Sequence, residues 1–326
     1  MYRANYVSAA KDPMVYLVSH TWADRFEKGR RRATIEAYSN CDSVLLYNDM
    51  SNEKVTYLGR KKNNGTGTHF MWENRDIRYN VLRAVGYYKG KAVAEDILVL
   101  NGLEQAPHFG ILYQDTKPLL KGEDGYNYLY RINCGGDDFT DSFGQLWMQD
   151  NTNYFRSWAA SFNELNPYLA SQRTTNDPIR GSRDWKLFQY FRFGRHQLEY
   201  NFPVADGMYR IELYFTEPWH GTGGSASADC EGLRIFDVAV NDSVVLDDLD
   251  IWAESGHDGA CKKVVYAIVK GGLLKIHFPE VKAGQALISG IAIASANSDS
   301  KPTLFPASDW NWEKASKEVM EKTPKE

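Results

Sequence analysis

The sequence has few cysteines, and none of them are paired at metal-binding spacing. Its 326 residues include only four, at Cys41, Cys134, Cys230 and Cys261. Four widely spaced cysteines do not make a disulfide scaffold, and without a CxxC pair there is no sign of a zinc site. We therefore expect no metal and no cofactor. A bridge between Cys230 and Cys261 stays open, because both lie in one predicted domain near glycine-rich loops.

The sequence also lacks a strong charge of either sign and a long apolar run. Its formal net charge is -4, and the basic residues are scattered apart from Arg30 to Arg32 and the pair Lys61 and Lys62. Without a phosphate-tracking stripe, nucleic acid is not an expected partner. No apolar run reaches the roughly 18–20 residues of a membrane helix, so membrane insertion is not expected. Residues 1–5 lack the apolar core of a signal peptide, so we expect any export signal to be absent from this sequence.

Aromatic residues are abundant. The chain has 9 Trp, 20 Tyr and 15 Phe, which together make up 13% of its residues. This content exceeds what a core of this size needs, and flat apolar rings with polar edges suit the faces of sugars. Hydrophobic residues at 43% and charged residues at 25% are typical of globular proteins, and the length predicts two domains.

The first hundred residues show short β-like segments separated by turn residues. Strands are predicted over residues 15–18, 33–38, 43–47, 54–58, 69–72 and 80–88. Short strands at nearly regular spacing indicate a sandwich, so residues 1–103 are predicted to form an immunoglobulin-like module. Residues 104–125 are rich in glycine and proline, show little periodicity, and are predicted to form the linker between domains.

A second β-rich segment follows over residues 126–296. Strands are predicted over residues 196–200, 209–215, 235–240 and 273–278, most of which alternate apolar and polar residues as half-buried strands do. Residues 297–326 are predicted to be a spacer and a short helix, in which Ser308 caps a run that ends at Met320. The predicted fold class is therefore all-β, with two sandwiches and a short C-terminal helix.

The second segment resembles the malectin family. The resemblance is carried by Tyr130-Arg131-Ile132-Asn133-Cys134-Gly135-Gly136, by Leu187-Phe188-Gln189-Tyr190-Phe191-Arg192-Phe193-Gly194, and by Phe236-Asp237-Val238 followed by Val244 to Trp252 and Gly256-His257. It covers roughly 170 residues in matching order. Malectin-like domains, whose bacterial members are called carbohydrate-binding modules of family 57, are sandwiches that bind sugars. The resemblance thus implies a larger sandwich of jelly-roll type and an oligo- or polysaccharide partner.

The resemblance also implies which residues contact the sugar. Phe193 takes the place of a family tyrosine after a predicted strand at Leu187 to Gln189, and Trp219 and His220 take the places of a paired Tyr and Phe. Tyr190 and Tyr168 are further candidates for stacking rings. Where animal malectin has an acidic ligand contact, this chain has Lys282-Ala283-Gly284-Gln285, so that relative's sugar specificity does not transfer. Gln285 remains a candidate for a bond to a hydroxyl group.

Two other polar groups have structural explanations that we prefer. Asp247, Asp248 and Asp250 look like a metal cluster, but the resemblance assigns this run to the scaffold, and its alternation suggests the end of a strand. His257 lies in a Ser-Gly-His-Asp loop without a nucleophile partner, so we interpret it as a loop-stabilising residue and not as a catalytic base. We expect no catalytic residue in this chain.

The first segment resembles the immunoglobulin-like domain that follows the catalytic barrel in family 2 glycoside hydrolases, which include β-galactosidase-like and agarase-like enzymes. The matching runs are Asp12 to Trp22, Glu36 to Asn48 and Leu58-Gly59-Arg60, and Tyr2 to Tyr6 resembles the end of the last barrel helix. Those enzymes use two glutamates on barrel strands. A barrel needs about 250 residues of alternating strand and helix, for which this chain has no room.

Three functional hypotheses follow. The first is a non-catalytic carbohydrate-binding region, which the resemblance makes part of a bacterial polysaccharide-degrading enzyme with an upstream catalytic domain. The second is a β-galactosidase-type hydrolase, and the third is a structural or protein-interaction module. The enzyme resemblance implies a bacterial periplasmic, cell-surface or secreted location.

Overall fold

The computed structural model describes residues 2–26, 32–150, 159–161, 172–195, 198–221 and 229–302. Nearly all of its regular elements are strands, which confirms the all-β prediction. Tyr168 and the predicted helix from Ser308 lie outside the described residues. No helix in the described part of the chain is long and apolar enough to cross a membrane.

The first unit is a sandwich of two antiparallel sheets. Its elements are α1 (Tyr2–Tyr6), β1 (Val15–Val18), β2 (Arg32–Ser39), β3 (Ser43–Tyr47), β4 (Tyr57–Lys62), β5 (Phe70–Asp76), β6 (Val81–Tyr88) and β7 (Lys91–Val99). One sheet has the order β1-β2-β5 and the other has the order β4-β3-β6-β7. Leu17, Ile35 and Trp72 of the first sheet share a buried core with Leu46 and Leu98 of the second.

The second unit contains the remaining strands. They are β8 (Asn127–Asn133), β9 (Phe139–Thr140), β10 (Leu146–Gln149), β11 (Ala159–Ser161), β12 (Gln172–Thr174), β13 (Tyr190–Gly194), β14 (Leu198–Pro203), β15 (Gly207–Phe215), β16 (Ile235–Val240), β17 (Ser243–Leu249), β18 (Cys261–Val269), β19 (Leu273–His277), β20 (Val281–Ala283), β21 (Ala286–Ile288) and β22 (Gly290–Ser295). Two short helices, α2 (Trp185–Gln189) and α3 (Ile251–Ser255), interrupt them.

These strands form two larger sheets and a small one. One large sheet has the order β18-β15-β22-β8-β10-β9, and the other has the order β11-β14-β19-β16-β17 with β20 beside β16. The small sheet has the order β12-β13-β21. Ile211 and Ile291 from the first large sheet pack in one core with Val238 and Ile276 from the second. The second unit is therefore also a sandwich.

A third apolar core joins the two units. Residues of the segment between them, Phe109 and Leu120, are buried together with Val81 of the first unit and with Trp147 and Phe188 of the second. A short 3-10 turn over Phe109–Tyr113 presents some of these side chains. The predicted linker is thus packed against both sandwiches in this structure, and the units are held side by side.

Two local predictions differ from the structure. Lys54–Thr56 form a 3-10 turn, so the strand predicted over 54–58 begins only at Tyr57. Leu187 to Gln189 belong to α2 and not to a strand. The helix is explained by packing, because Leu187 and Phe188 are fully buried and Gly290 lets the helix approach β22. A Cβ at Gly290 would lie 2.7 Å from Leu187 Cδ1.

Cys230 and Cys261 are buried and free, so the bridge that was left open is not formed.

Candidate functional site

A cleft of about 740 Å³ lies between the two units. The first unit contributes Tyr16, His20 and Asp96 to its lining. The second unit contributes residues 174–180, residues 255–258 and the pair Pro218 and Trp219. The site predicted from sequence therefore borders this cleft through one residue, Trp219.

Trp219 is exposed, although it is packed on one side. It follows β15 at the end of the run Phe215-Thr216-Glu217-Pro218, and 44% of its surface is accessible. Its ring makes T-shaped contacts with Phe193, whose centroid is 5.8 Å away, and with Phe191 at 6.0 Å. An exposed indole that is packed on one side is a suitable platform for the C–H face of a pyranose ring.

A buried ion pair holds the backbone at Trp219. The Glu217 carboxylate accepts hydrogen bonds from the backbone N–H of Trp219 at 3.0 Å and of His220 at 3.1 Å. Glu217 is fully buried and paired with Arg234, which is 2% exposed. The Arg234 guanidinium also lies 5.7 Å from the centroid of the Trp219 ring. The orientation of the platform is therefore fixed by two residues that the sequence analysis did not single out.

The structure brings four of the predicted residues together. Phe193 is half-buried beside Trp219, and the Arg173 guanidinium lies 5.7 Å from the Phe193 ring centroid. His220 is the next residue along the chain and is half-buried. Gln285 is connected through its carbonyl oxygen, which accepts a hydrogen bond from Arg234 Nη1. These contacts place Trp219, His220, Phe193 and Gln285 in one neighbourhood.

Tyr190 is placed elsewhere. Side chains alternate along β13, so Phe191 and Phe193 share one face while Tyr190 and Arg192 share the other. Phe191 and Phe193 face Trp219, and Tyr190 therefore lies on the opposite side of the strand. Tyr168 lies outside the described residues.

Charged groups line the cleft at the boundary between the units. His20 Nε2 lies 2.9 Å from Asp96 Oδ2 of the first unit, and its Nδ1 bonds to Asp177 of the second. Burial lowers the pKa of His20, but the two carboxylates outweigh it and raise the pKa to about 11. The imidazolium of His20 is thus an ionic bridge between the two units.

His257 and Asp258 form a second His–carboxylate pair in the cleft. His257 Nε2 lies 2.9 Å from Asp258 Oδ2. Burial raises the pKa of Asp258 to about 6, although the neighbouring imidazole opposes that shift. Burial lowers the pKa of His257, but the bond to Asp258 outweighs it and the pKa is raised. This pairing agrees with the prediction that His257 stabilises its loop.

The other acidic residues that the sequence analysis considered have separate roles. Asp250 caps the N-terminus of α3, where its Oδ1 accepts a hydrogen bond from the Ala253 N–H at 3.0 Å. Asp248 pairs with Lys282 at the surface. Asp237, Asp247 and Asp248 nevertheless place one carboxylate oxygen each within 4.8 Å of one another. The three aspartates that resemble a metal cluster in the sequence are therefore not one group in the structure, because Asp250 caps α3.

Comparison with known proteins identifies the second unit. A model of the malectin domain matches residues 128–297, which is more than half of the chain. The chain belongs to the malectin family. Malectin domains are carbohydrate-binding domains, so the family confirms the class of domain that the sequence predicted.

The malectin relatives with curated sequences are distant. Malectin of Danio rerio is 26% identical over 150 residues, which cover 46% of this chain and 47% of the relative. Malectin of Mus musculus is 26% identical over 149 residues, covering 45% of each chain. The chain thus spans about half the length of the curated relatives it matches.

Similar folds also occur among solved structures. A β-glucuronidase of Bacteroides uniformis is 23% identical with a TM-score of 0.41, and the match covers 86% of this chain and 30% of the enzyme. The plant receptor-like kinase FER is 13% identical with a TM-score of 0.41, covering 88% of this chain and 81% of the other.

Proposed function

We propose that the chain binds an oligo- or polysaccharide non-catalytically through the malectin domain, with Trp219 as the stacking platform. The observation that carries this proposal is the exposed indole of Trp219, whose ring packs against Phe193 and whose backbone is held by Glu217. Supporting contacts of this kind fix an aromatic ring before the ligand arrives, which reduces the entropy lost on binding.

Polar groups around the ring supply partners for hydroxyl groups. Thr174, Thr175 and Asn176 line the cleft together with Trp219. The Arg173 guanidinium lies near the Phe193 ring, and Gln285 is joined to Arg234 through its carbonyl oxygen. Each direct hydrogen bond contributes roughly 1 kcal/mol net. With one main stacking ring, we expect a dissociation constant that is micromolar or weaker.

The test is affinity electrophoresis of the full chain in gels that contain different polysaccharides, together with a glycan array. Wild-type protein should be retarded by at least one polysaccharide, and Trp219→Ala should weaken that binding at least tenfold. Tyr266→Ala is the matched control, because Tyr266 is 51% exposed in the same domain and does not line the cleft. Binding that is unchanged in Trp219→Ala, or absent in wild type, contradicts the proposal.

We further propose that the first unit is the immunoglobulin-like domain of a family 2-like glycoside hydrolase whose catalytic domain lies upstream. The sheet orders β1-β2-β5 and β4-β3-β6-β7 support this proposal, since they correspond to the A-B-E and C′-C-F-G sheets of immunoglobulin-like sandwiches. Such an enzyme would act on polysaccharide in the bacterial periplasm, at the cell surface or outside the cell. An open reading frame that continues upstream into a barrel would support this origin.

The chain by itself is expected to have no glycosidase activity, because the two carboxylates of such enzymes lie on barrel strands. A chromogenic β-galactoside should therefore show no turnover above buffer when it is incubated with this polypeptide. Hydrolysis that a single carboxylate substitution abolishes would overturn the binding-only proposal in favour of the hydrolase hypothesis.

A further inference from the structure

Three potential metal ligands converge in the wall of the cleft. Asp177, His257 and Asp258 each place one ligand atom so that all three atoms lie within 4.8 Å of one another. Asp177 precedes Ile179 in one segment, and the other two follow α3 in another. Asp177 also bonds to His20 of the first unit.

Backbone hydrogen bonds join the two segments that carry these residues. The Arg180 N–H donates to the Asp258 carbonyl at 2.8 Å, and the Ala260 N–H donates to the Arg180 carbonyl at 2.9 Å. Arg180 Nη2 also donates to the carbonyl oxygens of Ser255 and His257. The relative positions of the three side chains are therefore set by the fold, as a preformed ion site requires.

Two atoms of the cluster lack hydrogen-bond partners. The Asp258 side chain is 9% exposed, and neither its Oδ1 nor His257 Nδ1 has a partner among the described residues. Leaving a buried polar atom unpaired costs about 1–3 kcal/mol, so such atoms call for an explanation. Both atoms have almost no contact with solvent, and a divalent cation is smaller than a water molecule. A cation bound to the Asp258 carboxylate would satisfy Oδ1, and it would replace the proton between His257 Nε2 and Asp258 Oδ2.

The charges around the cluster also favour a cation. Three carboxylates lie in one stretch of the cleft, at Asp96, Asp177 and Asp258. Two cationic side chains contact this stretch: His20 bonds to Asp96 and Asp177, and Arg180 donates to the carbonyl of His257. Asp96 lies against His20, and Arg180 is bonded to backbone carbonyls. Metals bind the neutral form of imidazole, so a bound cation would displace one proton from His257.

We propose that Asp177, His257 and Asp258 bind a divalent transition-metal cation of the class of Zn²⁺ or Mn²⁺. A mixture of imidazole and carboxylate ligands suits these ions, whereas Ca²⁺ prefers six to eight oxygen ligands. Ligand atoms about 2.1 Å from a metal lie at most about 4.2 Å apart. The three ligand atoms lie within 4.8 Å of one another, so a small side-chain movement at most brings them to such a distance. The remaining coordination positions would face the cleft, and the site does not depend on the sugar proposed above.

The test is isothermal titration of the full chain with ZnCl₂, MnCl₂ and CaCl₂ after removal of metal with EDTA and dialysis. Wild type should bind close to one equivalent of Zn²⁺ or Mn²⁺, more tightly than Ca²⁺. His257→Gln and Asp258→Asn should each weaken binding at least tenfold. Asp248→Asn is the matched control, since it changes an exposed carboxylate in the other group of three, at Asp237, Asp247 and Asp248.

A second measurement separates metal binding from misfolding. Addition of the metal should raise the unfolding temperature of wild type and of Asp248→Asn, but not of His257→Gln, provided that the three proteins have the same near-ultraviolet circular dichroism. The proposal is overturned if wild type binds no stoichiometric metal, if Asp248→Asn alone loses binding, or if His257→Gln and Asp258→Asn bind as tightly as wild type. These outcomes do not depend on whether Trp219→Ala weakens sugar binding, so the two proposals can fail separately.

Discussion

At the scale of single residues, the platform at Trp219 depends on a pair of charges that never reach the surface. Glu217 and Arg234 are both almost fully buried, and each has a second role beside their ion pair. Glu217 accepts hydrogen bonds from the backbone N–H groups of Trp219 and His220. Arg234 lies over the Trp219 indole and donates a hydrogen bond to the Gln285 carbonyl oxygen. The pair thus connects β15, β16 and the turn before β21 at the site.

Substitution of Glu217 by Gln should be strongly destabilising. The amide keeps the size of the side chain but leaves the buried Arg234 charge without its counter-ion, and breaking a buried pair in this way costs about 3–5 kcal/mol. Urea unfolding measures the loss of stability, and sugar affinity should fall with it because the Trp219 loop loses its anchor. Asp248→Asn breaks the exposed pair with Lys282 and should change stability by less than about 1 kcal/mol. Equal stability of Glu217→Gln and wild type would show that the pair does not hold the loop.

Sequence reasoning proposed aromatic rings as candidate sugar contacts, and it did not single out the buried pair Glu217 and Arg234 that holds the backbone at Trp219. Trp219 was predicted from the place that it takes in the resemblance to the malectin family, and it lies between a proline and a glycine-rich run. Arg234 gave no such signal, since a single arginine before a strand is ordinary in sequence and becomes informative only when its buried partner is known. Tyr190 and Phe193 are an odd number of positions apart on one strand, so their side chains lie on opposite faces of β13.

At the scale of elements, alternation of apolar and polar residues predicted strands well where one face is buried. The strands at Val15–Val18, Ser43–Tyr47 and Ile235–Val240 have the predicted bounds. The long strand Cys261–Val269 was not predicted. Its Val264, Tyr266 and Ile268 are exposed, so apolar residues lie on both faces and the pattern of period two is weak.

The sequence patterns also failed to predict the short helix α2. α2 has five residues, and an isolated helix of that length is unstable in water. Its helical form is explained by tertiary contacts, in which Trp185, Leu187 and Phe188 fill the core between the units. Such contacts join residues that are far apart in sequence, so neither propensity nor periodicity within the segment could have revealed the helix.

At the scale of the whole molecule, the two sandwiches are joined both by an apolar core and by an ionic bridge. The apolar core includes Val81 from the first unit and Trp147 from the second. The bridge is His20 of the first unit, which bonds to Asp177 of the second while Asp96 holds its other nitrogen. Composition suggested only a linker between the units, because a buried contact between domains leaves no periodic pattern in either of them.

The ionic bridge predicts that the stability of the molecule depends on pH in a defined window. In the unfolded chain His20 has a pKa near 6.5, whereas in the folded chain the pKa is about 11. Below pH 6.5 His20 carries the proton in both the folded and the unfolded state, so the ionic bridge contributes its full stabilisation to the folded state. Above pH 6.5 the unfolded state loses the proton that the folded state keeps, so the stabilisation is lost progressively as pH rises toward 11.

The advantage of wild type over His20→Gln in free energy of unfolding should therefore shrink by about 1.4 kcal/mol for each pH unit above 6.5. Urea unfolding of both proteins at pH 6.5, 7.5 and 8.5 measures this difference, and EDTA in the buffer removes any contribution from metal. Asp177→Asn keeps the Asp96 contact and should show a smaller pH dependence than wild type. Parallel pH profiles of wild type and His20→Gln would show that the imidazolium does not stabilise the junction between the units.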